Sequence, residues 1–197
     1  MKTVIMSASP RAQSGSLRVA HFLEKILKEH ETTEVSVVSF EHYDVPLVGQ
    51  GQLDPDNLTD FQQTVLNAWK EADLVFFLVP EYNWTTSPQL LNLLHQAGGP
   101  KFAHLFDNKV FAVAGTSGAR GGRVPALEVT TVLNKLINFL NKYSIVSPRI
   151  WESHETSLNL NESGESTGNA IYEKAARAFV EYSLNVAQRW NVGSLVE

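Results

Sequence analysis

A polar segment near the beginning of the chain carries the side chains best suited to hold an anion. It reads SASPRAQSGS, from Ser7 to Ser16, and it follows an apolar run that predicts a buried strand. Hydroxyl groups, an arginine side chain and the unpaired N–H groups at the start of a helix are the donors that a phosphate group needs. The alternative is that the serines only cap the helix while Arg11 lies in solvent. The candidate phosphate-binding residues of this first loop are Ser9, Arg11, Ser14, Ser16 and Leu17.

The first loop lacks the motifs of two common nucleotide sites. GxxxxGK[ST] is absent, and the only glycine of the loop, Gly15, cannot supply GxGxxG. These absences disfavour ATP hydrolysis and a dinucleotide site of the Rossmann type. A compact, hydroxyl-rich loop suits a single phosphate group better.

Two further loops follow apolar strands and are candidates to hold a planar ring. The second loop, Pro80 to Ser87, begins PEYN, where aromatic side chains supply apolar area and amides supply donors. Ordinary loop packing or a subunit contact is the alternative for Tyr82 and Trp84. The third loop, Gly115 to Gly122, is rich in glycine, which lets backbone N–H groups approach a flat ring closely. The candidate ring-binding residues of the second loop are Pro80, Glu81, Tyr82 and Asn83.

The composition limits which other chemistries are open to the chain. It has no cysteine, so redox chemistry would need an organic cofactor or a metal held by other ligands. The six histidines show no metal-ligand spacing, and we expect each at the surface or a helix end, with no metal site. A net charge of -5 with scattered basic residues argues against nucleic acid as a partner. Glu81 is the only carboxylate that we expect near the ligand.

Hydrophobic periodicity alternates between strand and helix along the chain. Predicted strands cover Lys2 to Met6, Val35 to Phe40, Leu74 to Val79, Val110 to Ala114 and Ser144 to Ile150. Predicted helices cover Ser16 to His30, Asn57 to Ala72, Gln89 to Ala97, Pro125 to Tyr143 and Ala170 to Trp190. The alternation predicts one α/β domain over residues 1–197, with a doubly wound five-stranded parallel sheet and helices on both faces. Segment His154 to Gly168 has no period and is predicted to be an irregular excursion.

The predicted sheet determines where the three loops meet. Ligands of such sheets bind outside the carboxyl ends of the strands, and all three loops begin there. The longest apolar run, Leu74 to Val79, is too short to cross a bilayer, and the N-terminus lacks the apolar core of a secretory signal. We therefore expect a cytoplasmic protein with a small-molecule partner and no membrane partner.

Three motifs in the right order make the sequence resemble the NADPH-dependent FMN reductase family over about residues 1 to 140. PEYN, after the third strand, is the most specific of them. Members carry G-S-x-R-x-x-S after the first strand, where this chain reads A-S-P-R-A-Q-S, with Ala8 in place of glycine. The third motif is the glycine-rich loop TSGARGG. The resemblance implies a flavodoxin-like fold, bound FMN, and NADPH or NADH as the electron donor.

The resemblance also implies roles for the three loops. It places the first loop around the FMN phosphate and Pro80 to Asn83 along the isoalloxazine. It also makes Thr116, Ser117, Gly118 and Gly121 of the third loop candidate cofactor-binding residues, with Ser117 and Gly118 near the ring carbonyls. The chain departs from the family after PEYN, where bulky Trp84 is expected near the ring and Leu91 takes the position of a lysine.

The family resemblance further implies a homodimer or homotetramer with flavin sites near the subunit interfaces. Trp84, Trp151 or the excursion after Ile150 are candidates for that contact, with local packing as the alternative.

The predicted function is an oxidoreductase that passes electrons from NAD(P)H through FMN to a small acceptor: a quinone, an azo compound or a flavin. Since the flavin carries this chemistry, no catalytic residue is named. One alternative is a flavodoxin-like carrier, but its usual Thr/Ser-x-Thr-Gly-x-Thr loop and acidic face are not clear in this sequence. The other is a binding module of the same fold without flavin.

Overall fold

The computed structural model describes residues 1–30 and 33–192. Within them one sheet contains β1 Lys2–Ser7, β2 Glu34–Ser39, β3 Leu74–Pro80, β4 Lys109–Thr116, β5 Ser144–Val146 and β6 Trp151–Ser153. The α-helices are α1 Gly15–Lys28, α2 Asp60–Glu71, α3 Pro88–Ala97, α4 Arg123–Phe139, α5 Thr156–Asn159 and α6 Ala170–Val192. Short 3-10 segments lie at Phe40–His42 and Pro100–Phe106.

The strands of the sheet pair in parallel, in the order β2-β1-β3-β4-β5, with β6 also beside β4. This is the flavodoxin-like order, and it confirms the predicted doubly wound parallel sheet. Ser7 at the end of β1 lies beside Leu78 of β3, and Pro80 at the end of β3 lies beside Thr116 of β4. The carboxyl ends of three central strands therefore lie side by side, and the three loops begin along one edge.

Helices cover the sheet on both faces, as predicted. α1 and α6 pack on one face, and α2, α3 and α4 pack on the other. β3 is buried along its whole length, as expected for a central parallel strand. Trp69 of α2 stands edge-on to Phe77 and Phe111, with ring centroids 5.4 and 6.2 Å apart. These ring contacts pack α2 against the middle of the sheet.

Side-chain caps fix where three helices begin. Ser14, Thr59 and Ser87 each accept a hydrogen bond from the backbone N–H three residues later, at the starts of α1, α2 and α3. α2 therefore starts three residues later than predicted, directly after Thr59. α4 ends at Phe139, short of the predicted end, since Asn141 takes a left-handed φ of 52°. No helix among the described residues is both long and apolar enough to cross a membrane.

The predicted fifth strand is present only in part. Two short strands, β5 and β6, stand in its place, with Ser147 to Ile150 between them. Pro148 in this gap has no N–H to donate to a neighbouring strand. β5 pairs with the beginning of β4 and β6 pairs with its end. As a result, β6 brings Ser153 and the residues after it to the carboxyl edge of the sheet.

Candidate functional site

The loops after β1, β3 and β4 enclose a cavity of about 290 Å³ at the carboxyl edge of the sheet. The predicted site residues that line it are Ser9, Arg11, Ser14, Ser16, Pro80, Glu81, Tyr82, Thr116, Ser117 and Gly118. Leu17, Asn83 and Gly121, which the sequence also predicts, do not line it. The three loops nevertheless meet at one place, and most of the candidate side chains meet with them.

A larger cavity, of about 600 Å³, lies at the far end of α3. It is formed by the connection between β2 and α2, including Gly51 and Leu53, and by His95 and Lys101. None of its described lining residues carries a hydroxyl group. We take the smaller cavity as the functional site because a binding site is identified by convergent polar groups as well as by volume.

The first loop presents buried hydroxyl groups to the cavity. Ser9, Ser14 and Ser16 are only 2%, 7% and 2% exposed. The Ser14 hydroxyl accepts a hydrogen bond from the N–H of Leu17 at 3.1 Å, so Leu17 belongs to the helix cap and not to the cavity wall. The Ser16 hydroxyl lies 2.7 Å from the hydroxyl of Thr116 at the end of β4. The first N–H groups of α1 have no partner inside the helix, so the loop also offers backbone donors.

The first and second loops contact each other through predicted residues. The guanidinium of Arg11 lies over the ring of Tyr82, 4.7 Å from the centroid. The Tyr82 hydroxyl lies 3.1 Å from the hydroxyl of Ser9. Arg18, which the sequence analysis missed, also lines the cavity. Its place in the first turn of a helix capped by Ser14 is a signal that could have identified it.

The second loop is a tight turn with an exposed tip. Tyr82 and Thr85 exchange two backbone hydrogen bonds, of 2.8 and 3.1 Å. Asn83 and Trp84 form the tip, with left-handed φ angles of 50° and 69°. Trp84 is 77% exposed, and neither residue lines the cavity. The expectation that Trp84 stands beside a bound ring stays a prediction, and within this chain Trp84 lies outside the cavity wall.

Neighbouring elements hold the base of the second loop. The Ser87 hydroxyl donates to the carbonyl oxygen of Ala8 at 2.7 Å, which links the second loop to the first. Glu128 of α4 accepts from the Thr85 hydroxyl at 2.7 Å and from the Thr86 N–H at 3.0 Å. The turn is thus anchored on both sides.

Glu81 joins the second loop to the third. It lines the cavity, and its carboxylate accepts a hydrogen bond from the N–H of Gly122 at the start of α4. A Cβ atom on Gly121 would clash with the same carboxylate. Glu81 therefore sits near the cavity as expected, but its side chain serves the third loop.

The third loop folds back tightly onto the end of its own strand. A Cβ atom on Gly115 would clash with the carbonyl oxygen of Gly122, and Gly122 itself has a φ of 94°. Both positions need glycine for this close approach. The return places Ser117 and Gly118 at the cavity wall.

A segment after β6 closes the cavity on a further side, and the sequence analysis did not identify it. Thr156 and Ser157 line the cavity. The Ser117 N–H donates to the carbonyl of Ser153 at 3.0 Å. The N–H and hydroxyl of Thr156 donate back to the carbonyl of Ser117, at 3.1 and 3.0 Å. These pairings join positions far apart in sequence, so no local pattern reveals them.

Buried side chains support this segment from below. The Ser153 hydroxyl lies 2.7 Å from the hydroxyl of Tyr172 on α6. Burial raises the pKa of Tyr172 to about 12, although the bond to Ser153 opposes the shift, so this hydroxyl stays protonated. Trp151 is only 7% exposed and packs edge-on to Tyr172, with centroids 5.3 Å apart. Of the two alternatives for Trp151, the structure therefore favours local packing in the core over a subunit contact.

One histidine has a role that its sequence position did not indicate. The His154 side chain is 45% exposed and so lies at the surface as predicted, but its Nδ1 also accepts a hydrogen bond from the N–H of Gly121 at 3.0 Å. The amide of Gly121 is occupied by this contact, which explains why a predicted site residue does not face the cavity. Among residues 1–30 and 33–192, no three or more His, Asp or Glu side chains are placed to hold a metal ion.

The model of one protein family, NADPH-dependent FMN reductase, matches residues 1–147. The chain therefore belongs to this family, and the resemblance found in its motifs is confirmed. Membership gives the chain FMN as its cofactor and NAD(P)H as its electron donor. Among curated protein sequences there is no significant match.

Solved structures share the fold at low sequence identity. The flavoenzyme FerB, an NAD(P)H:(acceptor) oxidoreductase from Paracoccus denitrificans, has a TM-score of 0.67 at 16% identity, over 93% of this chain and 97% of FerB. An oxidoreductase from Corynebacterium diphtheriae has a TM-score of 0.66 at 12% identity, over 95% and 97% of the two chains. An azoreductase from Bacillus anthracis has a TM-score of 0.54 at 17% identity, over 95% and 99%. At these identities the likeness shows a common flavodoxin-like fold.

The residues of the cavity fit the groups of FMN. The buried hydroxyls of Ser9 and Ser16, the start of α1 and the Arg11 guanidinium are a donor set for a phosphate. Beside Gly118 there is open space where a side chain would otherwise stand, which leaves its backbone approachable. The site therefore combines an anion-binding wall with a wall suited to a flat ring.

Proposed function

We propose that this protein is an FMN-dependent NAD(P)H oxidoreductase that reduces a small acceptor, namely a quinone, an azo compound or a free flavin. The observation that carries the proposal is that one cavity gathers the first-loop hydroxyls and Arg11 on one wall and Tyr82 with the third-loop backbone on another. An anion site and a ring site in direct contact match a ligand that has both parts. Similar folds belong to enzymes named for NAD(P)H acceptor and azo reduction.

The first loop would hold the FMN phosphate. Ser9 and Ser16 would donate their hydroxyls, the first amides of α1 would donate N–H groups, and Arg11 would add a charge-assisted pair of donors. Ser14 would act mainly as the cap that orients those amides. On binding, the Arg11 guanidinium would move from the ring of Tyr82 to the phosphate. In the free protein its role would be the contact with that ring.

The second and third loops would hold the isoalloxazine. Pro80, Glu81 and Tyr82 would lie along one edge of the ring, while Ser117 and Gly118 would meet its carbonyls. Bound FMN supplies the chemistry, because it accepts electrons from the nicotinamide and passes them to the acceptor. The residues of the chain bind and orient the ring, and none of them needs to act as an acid or a base.

The remaining predicted site residues would act indirectly. Leu17 contributes its N–H to the Ser14 cap, and Gly121 contributes its N–H to His154. Asn83 forms the turn at the tip of the second loop. We propose that these three residues shape the loops without touching FMN in the same subunit.

We further propose a homodimer, with the face around Trp84 as its contact. Trp84, Val124 and Leu127 are 77%, 58% and 45% exposed, and the bond from Thr85 to Glu128 brings the second loop against α4. The cavity of about 290 Å³ is also at the lower end of ligand sites, which span roughly 300–1,000 Å³. A second subunit would cover the part of FMN that one chain leaves exposed.

The dimer can be tested by light scattering coupled to gel filtration. Leu127→Glu should give a monomer that retains FMN less well, whereas Ile171→Glu, at an equally apolar exposed position on α6, should stay dimeric. A homotetramer, a dimer that survives Leu127→Glu, or a dimer split by Ile171→Glu would each require a different contact.

The acceptor is tested by steady-state assays of FMN-loaded protein. NADPH and NADH should each be offered with a quinone, an azo dye and free FMN, and turnover with at least one acceptor supports the proposal. Reduction that needs an added protein partner would favour the electron-carrier alternative instead. The cytoplasmic location stays a prediction, and cell fractionation tests it.

A further inference from the structure

His154 stands at the end of a short chain of polar contacts behind the third loop. Its Nδ1 accepts from the Gly121 N–H at 3.0 Å. Its Nε2 lies 3.5 Å from one carboxylate oxygen of Glu152, and the other oxygen of Glu152 accepts from Arg123 at 2.7 Å. All of these side chains except Arg123 come from β6 and the residue after it, beyond the segment 1–147 that matches the family.

The contacts on its two nitrogens define the tautomer of His154. A nitrogen that accepts a hydrogen bond from an amide carries no proton, so Nδ1 is the acceptor and Nε2 carries the N–H that faces Glu152. Arg123 holds Glu152 in place from α4. The Nδ1 lone pair is therefore directed at the third loop, while the Glu152 carboxylate lies 3.5 Å from Nε2 on the other side of the ring.

Several hydrogen bonds hold the third loop in its shape, including one within it from the Ala119 N–H to the Ser117 hydroxyl at 3.2 Å. Ser117 donates to Ser153, Ala119 accepts from Glu155, and Gly121 donates to His154. The amides of Gly118 and Arg120, between these positions, make no hydrogen bond within the described residues. The loop bends at residues 118–120, and Gly118 lines the cavity whereas Arg120 does not. The unpaired amide of Gly118 is therefore available to a ligand in the cavity, provided that the loop is held in this shape.

We propose that His154 is a positioning residue for the flavin site. It fixes Gly121 from behind, and the third loop then presents the amide of Gly118, which lines the cavity, to the carbonyls of the isoalloxazine. This inference rests on the proposed function, because it names a residue that prepares the same site. His154 does not touch the ligand and acts only through the backbone of the loop.

The test compares two substitutions that differ in one property. His154→Asn retains an oxygen close to the position of Nδ1 and can still accept from Gly121, whereas His154→Leu cannot. His95→Leu is the control, since this exposed histidine lies at the far end of α3. Three quantities are measured for each protein: the FMN dissociation constant, the midpoint potential of bound FMN, and hydrogen exchange at the Gly121 amide without flavin.

We expect His154→Leu to expose the Gly121 amide to exchange and to weaken FMN binding about five- to tenfold, the effect of one neutral hydrogen bond. Its midpoint potential should become more negative, since fewer donors face the reduced ring. His154→Asn should stay within about twofold of the wild type in FMN affinity, and His95→Leu should match it. A structural role alone would lower stability without moving the potential.

Either of two results would overturn the inference. If His154→Leu binds FMN with the affinity and potential of the wild type, the residue does not position the site. If Asn fails to restore what Leu loses, the acceptor at Nδ1 is not the cause. A wild-type protein that binds no FMN at all is a different failure, because it removes the proposed function and this role with it.

Discussion

The parallel strands of the sheet all start at one side and end at the other, here called the amino edge and the carboxyl edge. Both edges carry buried polar groups, but these groups have different partners. At the amino edge, the ammonium of Lys109 donates to the carbonyls of Lys70 and Ala72 at 2.9 and 2.6 Å, where α2 ends. Asp73 accepts from the N–H of Lys2 at 2.8 Å. These polar groups bond to other parts of the chain and so contribute to stability, although the buried Thr3 hydroxyl nearby has no partner in the described part of the chain.

The carboxyl edge leaves part of its hydrogen-bonding capacity open. The hydroxyls of Ser9 and Ser16 contact Tyr82 and Thr116, yet they line a cavity together with the first amides of α1. Each hydroxyl oxygen can make further hydrogen bonds beyond these contacts. Burial of polar groups alone therefore does not mark a site. What marks it is polar groups whose remaining donors and acceptors face a cavity.

The largest effect on stability is expected from a substitution at the amino edge. Lys109→Met should lower the free energy of unfolding by about 2–4 kcal/mol, because two buried carbonyls lose their donor. The dissociation constant of FMN should stay within about twofold of the wild type, since no part of the site is touched. Urea unfolding and FMN titration of the same preparation check both. A loss of affinity that parallels the loss of stability would mean that the two edges are not independent.

A substitution at the carboxyl edge should have the opposite pattern, with a large effect on FMN binding and a small one on stability. Arg11→Ala should weaken FMN binding about 10- to 100-fold, the value of a charge-assisted hydrogen bond of roughly 1.5–3 kcal/mol. The unfolding free energy should move by no more than about 0.5 kcal/mol because the side chain is exposed. Arg189→Ala, an exposed arginine on α6, is the matched control for titration. Equal FMN affinity in the Arg11 variant and this control would remove Arg11 from the phosphate site.

The pH dependence of stability tests whether Lys109 at the amino edge is buried as a charged group. Burial lowers the pKa of Lys109 to about 8 from its ordinary 10.5, with Asp73 and Asp107 opposing the shift. Between these values the unfolded chain holds a proton that the folded chain has released, so stability rises with pH there. Below pH 8 both states are protonated and the cost of burying the charge is constant.

The profile is measured as a difference, because other groups titrate in the same range. The unfolding free energy of the wild type relative to Lys109→Met should rise by on the order of 1–3 kcal/mol from pH 8 to pH 10.5. A flat difference across this window would show that Lys109 keeps its ordinary pKa in the folded protein.

The smallest effect is expected from substitutions of Glu81, which links the second loop to the third. Glu81→Ala removes the acceptor of the Gly122 N–H and should cost about 1 kcal/mol of stability and about fivefold in FMN affinity. Glu81→Gln keeps an acceptor oxygen and should lose about half as much or less. Thermal unfolding and FMN titration compare the two variants. If they behave alike, the contact to Gly122 is not what Glu81 contributes.

Much of the fold could be predicted because its signals are local. The uninterrupted apolar run of β3 indicates a strand buried on both faces, and Ser14 before α1 indicates a helix start. The division into β5 and β6 was not predicted, because the apolar residues on both sides of Ser147, Pro148 and Arg149 together predict one strand, although Pro148 interrupts the pairing. Sequence periodicity reports burial well and the continuity of hydrogen bonding poorly.

The residues of the candidate site also fall into those that local sequence signals indicate and those that depend on distant contacts. Residues of the three loops could be named because each loop directly follows an apolar strand. His154, Thr156 and Ser157 could not, since their contacts with the third loop depend on a segment that has no period. The sequence left both core packing and a subunit contact open for Trp151, because an aromatic residue at the start of an irregular segment gives no local sign of which it faces; in the structure it is buried.

The most direct test of the central claim is the visible spectrum of the purified protein. FMN is added, the excess is removed, and NADPH or NADH is then introduced without oxygen. We predict that a flavin band is retained and that it bleaches with at least one of the two donors. A protein that retains no FMN, with no binding seen by titration, would contradict the account, and a retained band that neither donor bleaches would contradict the oxidoreductase function while leaving the flavin site in place.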